Sequence, residues 1–309
     1  MINAFTIDVE DYFHVSGFEH CVARCDWHHF ESRVVANSHR LLDIMDDHGV
    51  QGTFFVLGWV ADRHPELVEE IHRRGHEIGS HGYWHRLIYK QTPNEFREDL
   101  IRSRDRLEDI VGLRVESFRA PSFSITQRSL WALEVLVQEG FTMDSSIYPI
   151  RHDRYGIPGG QRGPHCIHTA SGDLWEFPPT VARIAGMNVP VGGGGYFRLF
   201  PVGWTNLCLS RVQLRQHTPA MFYIHPWEID PDQPRLSVTG RMNRFRHYVN
   251  LAHTERKLSR LFNEFQFGCL SDALAPHRDG DVGKGNQQNG ESLFLPLESF
   301  EWVTGVGKP

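Results

Sequence analysis

GTFFVLGWVADRHPELVEEIHRRGHEIGSHGYWH, residues 52–85, reads as a strand–helix–strand unit that ends in two histidines. Residues 52–57 read as a strand, with Thr53, Phe54, Phe55 and Val56 β-branched or aromatic. Pro65 opens a helix at a position where its missing N–H costs nothing, and Leu67, Val68 and Ile71 form the apolar side. Residues 77–80 make a third short strand, and His81 and His85 follow it.

The same alternation continues in both directions. Residues 4–9 read as the first strand and 31–48 as a helix carrying Val34, Leu41, Leu42 and Met45, with Gly49 as its stop. Thr92-Pro93-Asn94-Glu95 is a capping box ahead of Phe96, Leu100, Leu107 and Val111. Strands follow at 115–119, 141–144, 173–177 and 220–224, with helices at 126–139 and 205–216. A long helix over 242–264 and a strand at 265–270 complete the pattern. From about residue 276 the chain is rich in Gly, Asp, Gln and Asn, so 276–309 reads as a flexible tail, although SLFLPLESFEWV (292–303) is apolar enough to dock or form a late strand.

Alternating βα units imply an α/β fold with a parallel sheet, open or closed into a barrel, and chemistry at the carboxyl ends of its strands. The polar residues obey that geometry. Asp8, Glu10 and Asp11 end the first strand, His81 and His85 follow the third, and Arg119, Asp144 and His225 stand at three later strand ends.

Composition narrows the function. The 309 residues carry a net charge of -6, which argues against a nucleic-acid partner. No apolar run reaches the ~18 residues needed to span a bilayer. The start, MINAFTIDVEDYF, has no leader pattern, so the expected location is the cytoplasm. Five cysteines without metal-type spacing fit a reducing compartment. Nineteen histidines are more than a passive scaffold needs.

His81 and His85 are four apart, a spacing that on a helical turn places both imidazoles on one face. Two His and a carboxylate leave open positions for water, as in a catalytic divalent-metal site. Gly82 stands where a zinc protease would have Glu, so that reading fails. The carboxylate must come from elsewhere, and Asp8-Val9-Glu10-Asp11 offers three. One would bind metal and another would take a proton from water. Asp8 and Glu10 share a strand face, while Asp11 lies just past it.

DVED (8–11), RRGHEIGSHGYWH (73–85), FRAPSF (118–123), DSSIYP (144–149) and YIHPWEID (223–230) together resemble the motif series of the polysaccharide deacetylase (NodB-homology) family, carbohydrate esterase family 4. The order is kept over roughly residues 1–230. GGGGYFR (192–198), HPWEID and the C-terminal helical region resemble the exosortase-associated branch. The resemblance implies a distorted (β/α) barrel of about seven units, occupying 1–275 with a branch-specific region from about 230. It also implies metal-dependent removal of acetyl groups from N-acetylated sugars of a polysaccharide or its lipid-linked precursor, in exopolysaccharide or cell-envelope glycan synthesis. A lipid-linked substrate would bring peripheral membrane contact. Zn2+ is the first expectation, with Co2+, Ni2+ or Fe2+ as substitutes. By resemblance Asp8 is the general base, His81 and His85 are metal ligands, and Arg119 orients the base. Asp144 supports the acid, and His225 protonates the leaving amine. The family's adjacent Asp-Asp is spread into DVED, so the third ligand is Glu10 or Asp11, and a related branch favours Glu10.

Tyr12, Phe13, Tyr83, Trp84, Phe123, Tyr148 and Trp227 are candidates for stacking on sugar faces. Arg198, Arg235, Arg241 and Arg244 are candidates for an anionic glycan or lipid pyrophosphate. Gly192–Gly195 lacks the flanks of a phosphate loop and reads as a close backbone approach, a flap or a bend. The rival functions are a small-amide C–N hydrolase of allantoinase type, a non-heme iron oxygenase and a glycan-binding pseudoenzyme.

Overall fold

Seven parallel strands run side by side through the computed structural model, which describes residues 1–236 and 240–281. In chain order the strands are β1 (Asn3–Val9), β2 (Thr53–Val56), β3 (Glu77–Ser80), β4 (Ser117–Phe118), β5 (Met143–Asp144), β6 (His165–Thr169) and β7 (Gly172–Glu176). The remaining strands are β8 (Val181–Ile184), β9 (Met187–Pro190), β10 (Met221–Ile224) and β11 (Phe267–Gly268). The main sheet has the order β10-β1-β2-β3-β4-β5-β7-β6, with β11 also on β1. All pairs in it are parallel except β6 with β7, which form an antiparallel hairpin. This is the expected distorted barrel.

Regular strands do not close it. The gap between β10 and β7 is bridged by irregular backbone: Thr180 N donates to Met221 O, and Tyr223 N donates to Gly192 O. The hairpin of β8 and β9 leaves the barrel between these two crossing points.

Among the described residues, ten α-helices surround the strands: α1 (Val34–Asp47), α2 (Gly58–Arg63), α3 (Pro65–Arg73), α4 (Pro93–Val111), α5 (Trp131–Gln138), α6 (Gly194–Leu199), α7 (Val202–Gln216), α8 (Arg241–Tyr248), α9 (Thr254–Glu264) and α10 (Leu270–Asp281). Helix α4 starts at the expected capping box, with Glu95 N donating to Thr92 Oγ1 and Thr92 N to the Glu95 carboxylate. It stops at Gly112, whose φ of 69° suits a residue without Cβ. Apolar faces of α1, α3, α4 and α5 pack on strand residues such as Phe5, Ile7, Phe54 and Phe118 to form one continuous core.

Two expectations at the C-terminal end need correction. The single helix over 242–264 is broken into α8 and α9 at Asn250, which takes a left-handed φ of 55°. The buried Arg198 guanidinium accounts for this: it donates to the carbonyl oxygens of Arg246, His247 and Val249, which in a continuing helix would accept from backbone N–H groups four residues on. The expected flexible tail from 276 instead begins as the end of α10. That helix buries Leu270, Ala273 and Leu274 at i, i+3, i+4 spacing. Leu270 N and Ser271 N donate to Thr53 and Glu77, at the amino ends of β2 and β3, so α10 closes that end of the barrel. The expectation for residues 282–309 lies outside the described residues.

Candidate functional site

Strand β1 is fully buried, and its last residues deliver two carboxylates to the carboxyl end of the barrel. Glu10 N donates to Asp8 O at 3.0 Å, a tight turn that brings both side chains to one side. Asp8 Oδ2 and Glu10 Oε1 each lie 3.7 Å from His225 Nε2, which β10 delivers from the neighbouring strand.

The histidine pair arrives differently from the helical turn that its spacing suggested. Residues 81–85 form a loop, in which Gly82 (φ 72°) and His85 (φ 50°) are both left-handed. Asp99 of α4 holds this loop by accepting from Tyr83 N (2.7 Å) and Trp84 N (3.2 Å). A Cβ at position 82 would come within 2.9 Å of Asp99 Oδ2, so the glycine is required by both conformation and space. His81 Nδ1–H donates to Arg119 O at 2.8 Å, which leaves Nε2 with its lone pair toward the site.

Glu10, His81 and His85 form a buried group whose ligand atoms all lie within 4.8 Å of one another. Glu10 Oε2 is 2.7 Å from His85 Nε2 yet has no hydrogen-bond partner, while Oε1 accepts from Trp227 Nε1 at 3.2 Å. An orphaned carboxylate oxygen facing two imidazoles fits a divalent cation, with one oxygen and two nitrogen donors. Burial alone would raise the Glu10 pKa, but His85, His225 and His81 outweigh it and hold the carboxyl well below its ordinary range. Burial lowers His81 to about 4, which keeps it neutral, as a ligand must be.

Asp11 does not join this group. Its carboxylate accepts from Ser32 Oγ, Arg33 N and Val34 N, so it caps the start of α1. As the first residue past the strand's turn, it points to the helix rather than the mouth.

Arg119 has no solvent exposure and donates to Asp8 Oδ1 (2.6 Å), Thr6 Oγ1 (2.8 Å), Ser145 O (3.1 Å) and Ser145 Oγ (2.9 Å). A buried ion pair is tolerable only when its remaining donors are satisfied, and here they are. Asp144, expected beside His225, sits elsewhere. It lies opposite Glu176 in the β5–β7 register and accepts from Ser146 Oγ at 2.5 Å. Burial raises Asp144 to about 6, and burial with Asp144 as neighbour raises Glu176 well above the carboxylate range. Burial and mutual repulsion both favour the protonated form of this pair.

The carboxylate that does hold His225 is Glu228, whose Oε1 is 2.7 Å from His225 Nδ1. Its other oxygen accepts from Arg198 Nε at 2.6 Å. Burial opposes ionisation of both partners, yet Glu228, Glu10 and Asp8 raise His225 to about 9, and Arg198 and His225 lower Glu228. Sequence reading passed over Glu228 although it stands three residues after His225 in HPWEID. Arg198 is thereby committed to Glu228 and is not available to a ligand.

Most of the aromatic candidates are packing residues: Tyr12, Phe13, Tyr83, Phe123, Tyr148 and Trp227 are buried, and Trp84 is half-buried. The glycine run is a close backbone approach. A Cβ on Gly193 would lie 1.9 Å from Tyr223 O, on the strand that carries His225.

The polysaccharide deacetylase family model matches residues 26–141, and a domain of unknown function (DUF3473) matches 145–275, which agrees with the exosortase-associated branch. A peptidoglycan-N-acetylglucosamine deacetylase of Bacillus cereus is 34% identical over 96 residues, covering 31% of this chain and 35% of the relative. The YheN protein of Bacillus subtilis is 31% identical over 149 residues, covering 46% of this chain and 52% of the relative. The matches thus span a third to a half of these relatives' own length. A structure from Mycobacterium smegmatis, designated a polysaccharide deacetylase, superposes with a TM-score of 0.58 at 20% identity over 93% of both chains. One from Pseudomonas aeruginosa with the same designation gives 0.51 at 18% identity, over 79% of this chain and 73% of that one. These two neighbours establish the fold alone, and the family model with the sequence relatives shows that residues 26–141 of this chain are similar to the polysaccharide deacetylase (NodB-homology) domain.

Proposed function

We propose that this chain hydrolyses the N-acetyl group of an amino sugar in a polysaccharide or its lipid-linked precursor, with a divalent cation, Zn2+ first, held by Glu10, His81 and His85. The observation that carries the reading is convergence. A buried Glu-His-His group, an Arg-held carboxylate and a carboxylate-held histidine meet at one barrel mouth. The cation would polarise the acetyl carbonyl and make water a stronger acid.

The remaining steps belong to the chain's own residues. Asp8 takes the proton from the attacking water, and the Arg119 guanidinium at 2.6 Å keeps that carboxylate ionised and aimed. His225 keeps 18% of its side chain exposed against 3% for Asp8, so it is the member that meets an incoming sugar. It carries a proton at neutral pH and gives it from Nε2 to the departing amine, while Glu228 fixes Nδ1–H. An amide's amine leaves only when protonated, so base and acid must stand on opposite sides of one small space.

The same reading takes 1–275 as one catalytic unit, exopolysaccharide or envelope glycan synthesis as the setting, and the cytoplasm as the location. No helix among the described residues is long and apolar enough to cross a membrane. Metal analysis coupled to acetate release over a panel of N-acetylated oligosaccharides tests the proposal. Acetate release that disappears on chelation and returns with Zn2+ supports it. Glycan binding by metal-loaded protein without acetate release would replace it with a binding role.

A further inference from the structure

Helix α7 has two apolar faces, and only one of them is packed. Thr205, Cys208, Leu209 and Val212 are buried against the barrel. The opposite stripe carries Trp204, Leu207, Arg211, Leu214 and Arg215, at i, i+3, i+7, i+10 and i+11, all open to solvent. Leu207 is 52% and Leu214 74% exposed, and Leu199 at the end of α6 adds another at 45%. Large apolar side chains in a contiguous exposed stripe mark a contact surface.

Charge identifies the contact. The protein carries a net charge of -6, yet residues 177–227 contain no Asp or Glu. Their charged residues are Arg183, Arg198, Arg211 and Arg215. Arg198 is neutralised by Glu228, whereas Arg183, Arg211 and Arg215 are exposed and make no ion pair among the described residues. The hairpin of β8 and β9, which packs beside α7, adds Arg183 and the exposed Met187. A helix with Trp and Leu on its outer stripe, flanked by Arg and free of acids, matches the interface of an anionic bilayer: apolar side chains enter the acyl boundary and guanidinium groups stay at the phosphates.

We propose that the outer stripe of α7, with the tip of the β8–β9 hairpin, docks this protein on an anionic lipid surface. The inference is independent of the deacetylase chemistry, because none of these residues lies in the site described above.

Co-sedimentation of the full chain with phosphatidylglycerol vesicles, against phosphatidylcholine vesicles, tests it directly. Binding to the anionic vesicles alone, weakened by salt, is expected. Leu207→Glu/Leu214→Glu and, separately, Arg211→Glu/Arg215→Glu should each reduce the bound fraction about tenfold. Both lie on a solvent-facing stripe, and an unchanged circular-dichroism melt would verify their folding. A mild pair, Leu207→Ser/Leu214→Ser, serves if a glutamate variant fails to fold. Absence of binding by wild type, or undiminished binding by both folded variants, would overturn the proposal. So would a wild-type dimer in light scattering that the leucine variant converts to monomer, since a second copy would then own the stripe.

Discussion

Asp8 and Arg119 are each nearly without solvent, so the chemistry of either depends on the other. Asp8→Asn leaves the Glu10, His81, His85 group untouched and should keep bound metal while turnover falls by about a thousandfold. His81→Ala removes a donor and should lose metal and acetate release together. Metal content and rate measured on both variants separate the roles, and equal metal loss in both would contradict them. At His225 the decisive partner is Glu228 rather than Asp144. Glu228→Gln should lower kcat about tenfold or more with metal content unchanged, because His225 loses the anion that favours its protonated form and anchors its Nδ1–H. Asp144→Asn should change thermal stability more than kcat. The reverse ranking would restore Asp144 as the supporting residue. The sequence carried the residue types and the strand-end positions of Asp8, Glu10, His81, His85, Arg119 and His225. It left Glu10 and Asp11 as alternatives, because adjacent residues after a strand differ only in the direction that the next turn gives them.

Among the elements, those with local signals matched their reading and those shaped by distant partners did not. The Thr92 capping box and the Gly112 stop depend on neighbours in sequence, and α4 is as expected. The break between α8 and α9 depends on Arg198, about fifty residues upstream by the sequence numbering, whose guanidinium claims the carbonyls that a longer helix needs. The loop 81–85 depends on Asp99 in the same way. The Gly192–Gly193 crossing gives an element-scale prediction. Gly193→Ala puts a methyl group against Tyr223 O at a φ of 120°, so β10 must shift and carry His225 with it. A fall in both melting temperature and kcat is expected, against little effect for Gly203→Ala, where the added methyl meets nothing within 4 Å. Equal melting temperatures and rates would show that the crossing does not set the position of His225.

At the scale of the whole molecule, the β5–β7 seam buries Asp144 opposite Glu176, both fully shielded from water. Burial keeps a proton on the pair in the folded state at a pH where the unfolded chain has released it. The folded state therefore binds more protons, and stability is fullest below the ordinary carboxylate range and falls as the pH rises through the pair's titration. Glu176→Gln supplies the hydrogen without a titrating group. Its melting temperature should depend less on pH than that of wild type between about pH 5 and pH 8, and parallel curves would exclude the retained proton. The sequence by itself determined the βα alternation, a parallel sheet and the placing of polar residues at strand ends, because hydrophobic periodicity and capping act over a few residues; the barrel was implied only by the motif resemblance. Tertiary structure decided which carboxylate faces the two histidines, which one holds His225, and how irregular backbone bridges β10 and β7. Those outcomes turn on side chains that meet across the barrel, where desolvation allows a charge to persist only beside its partner.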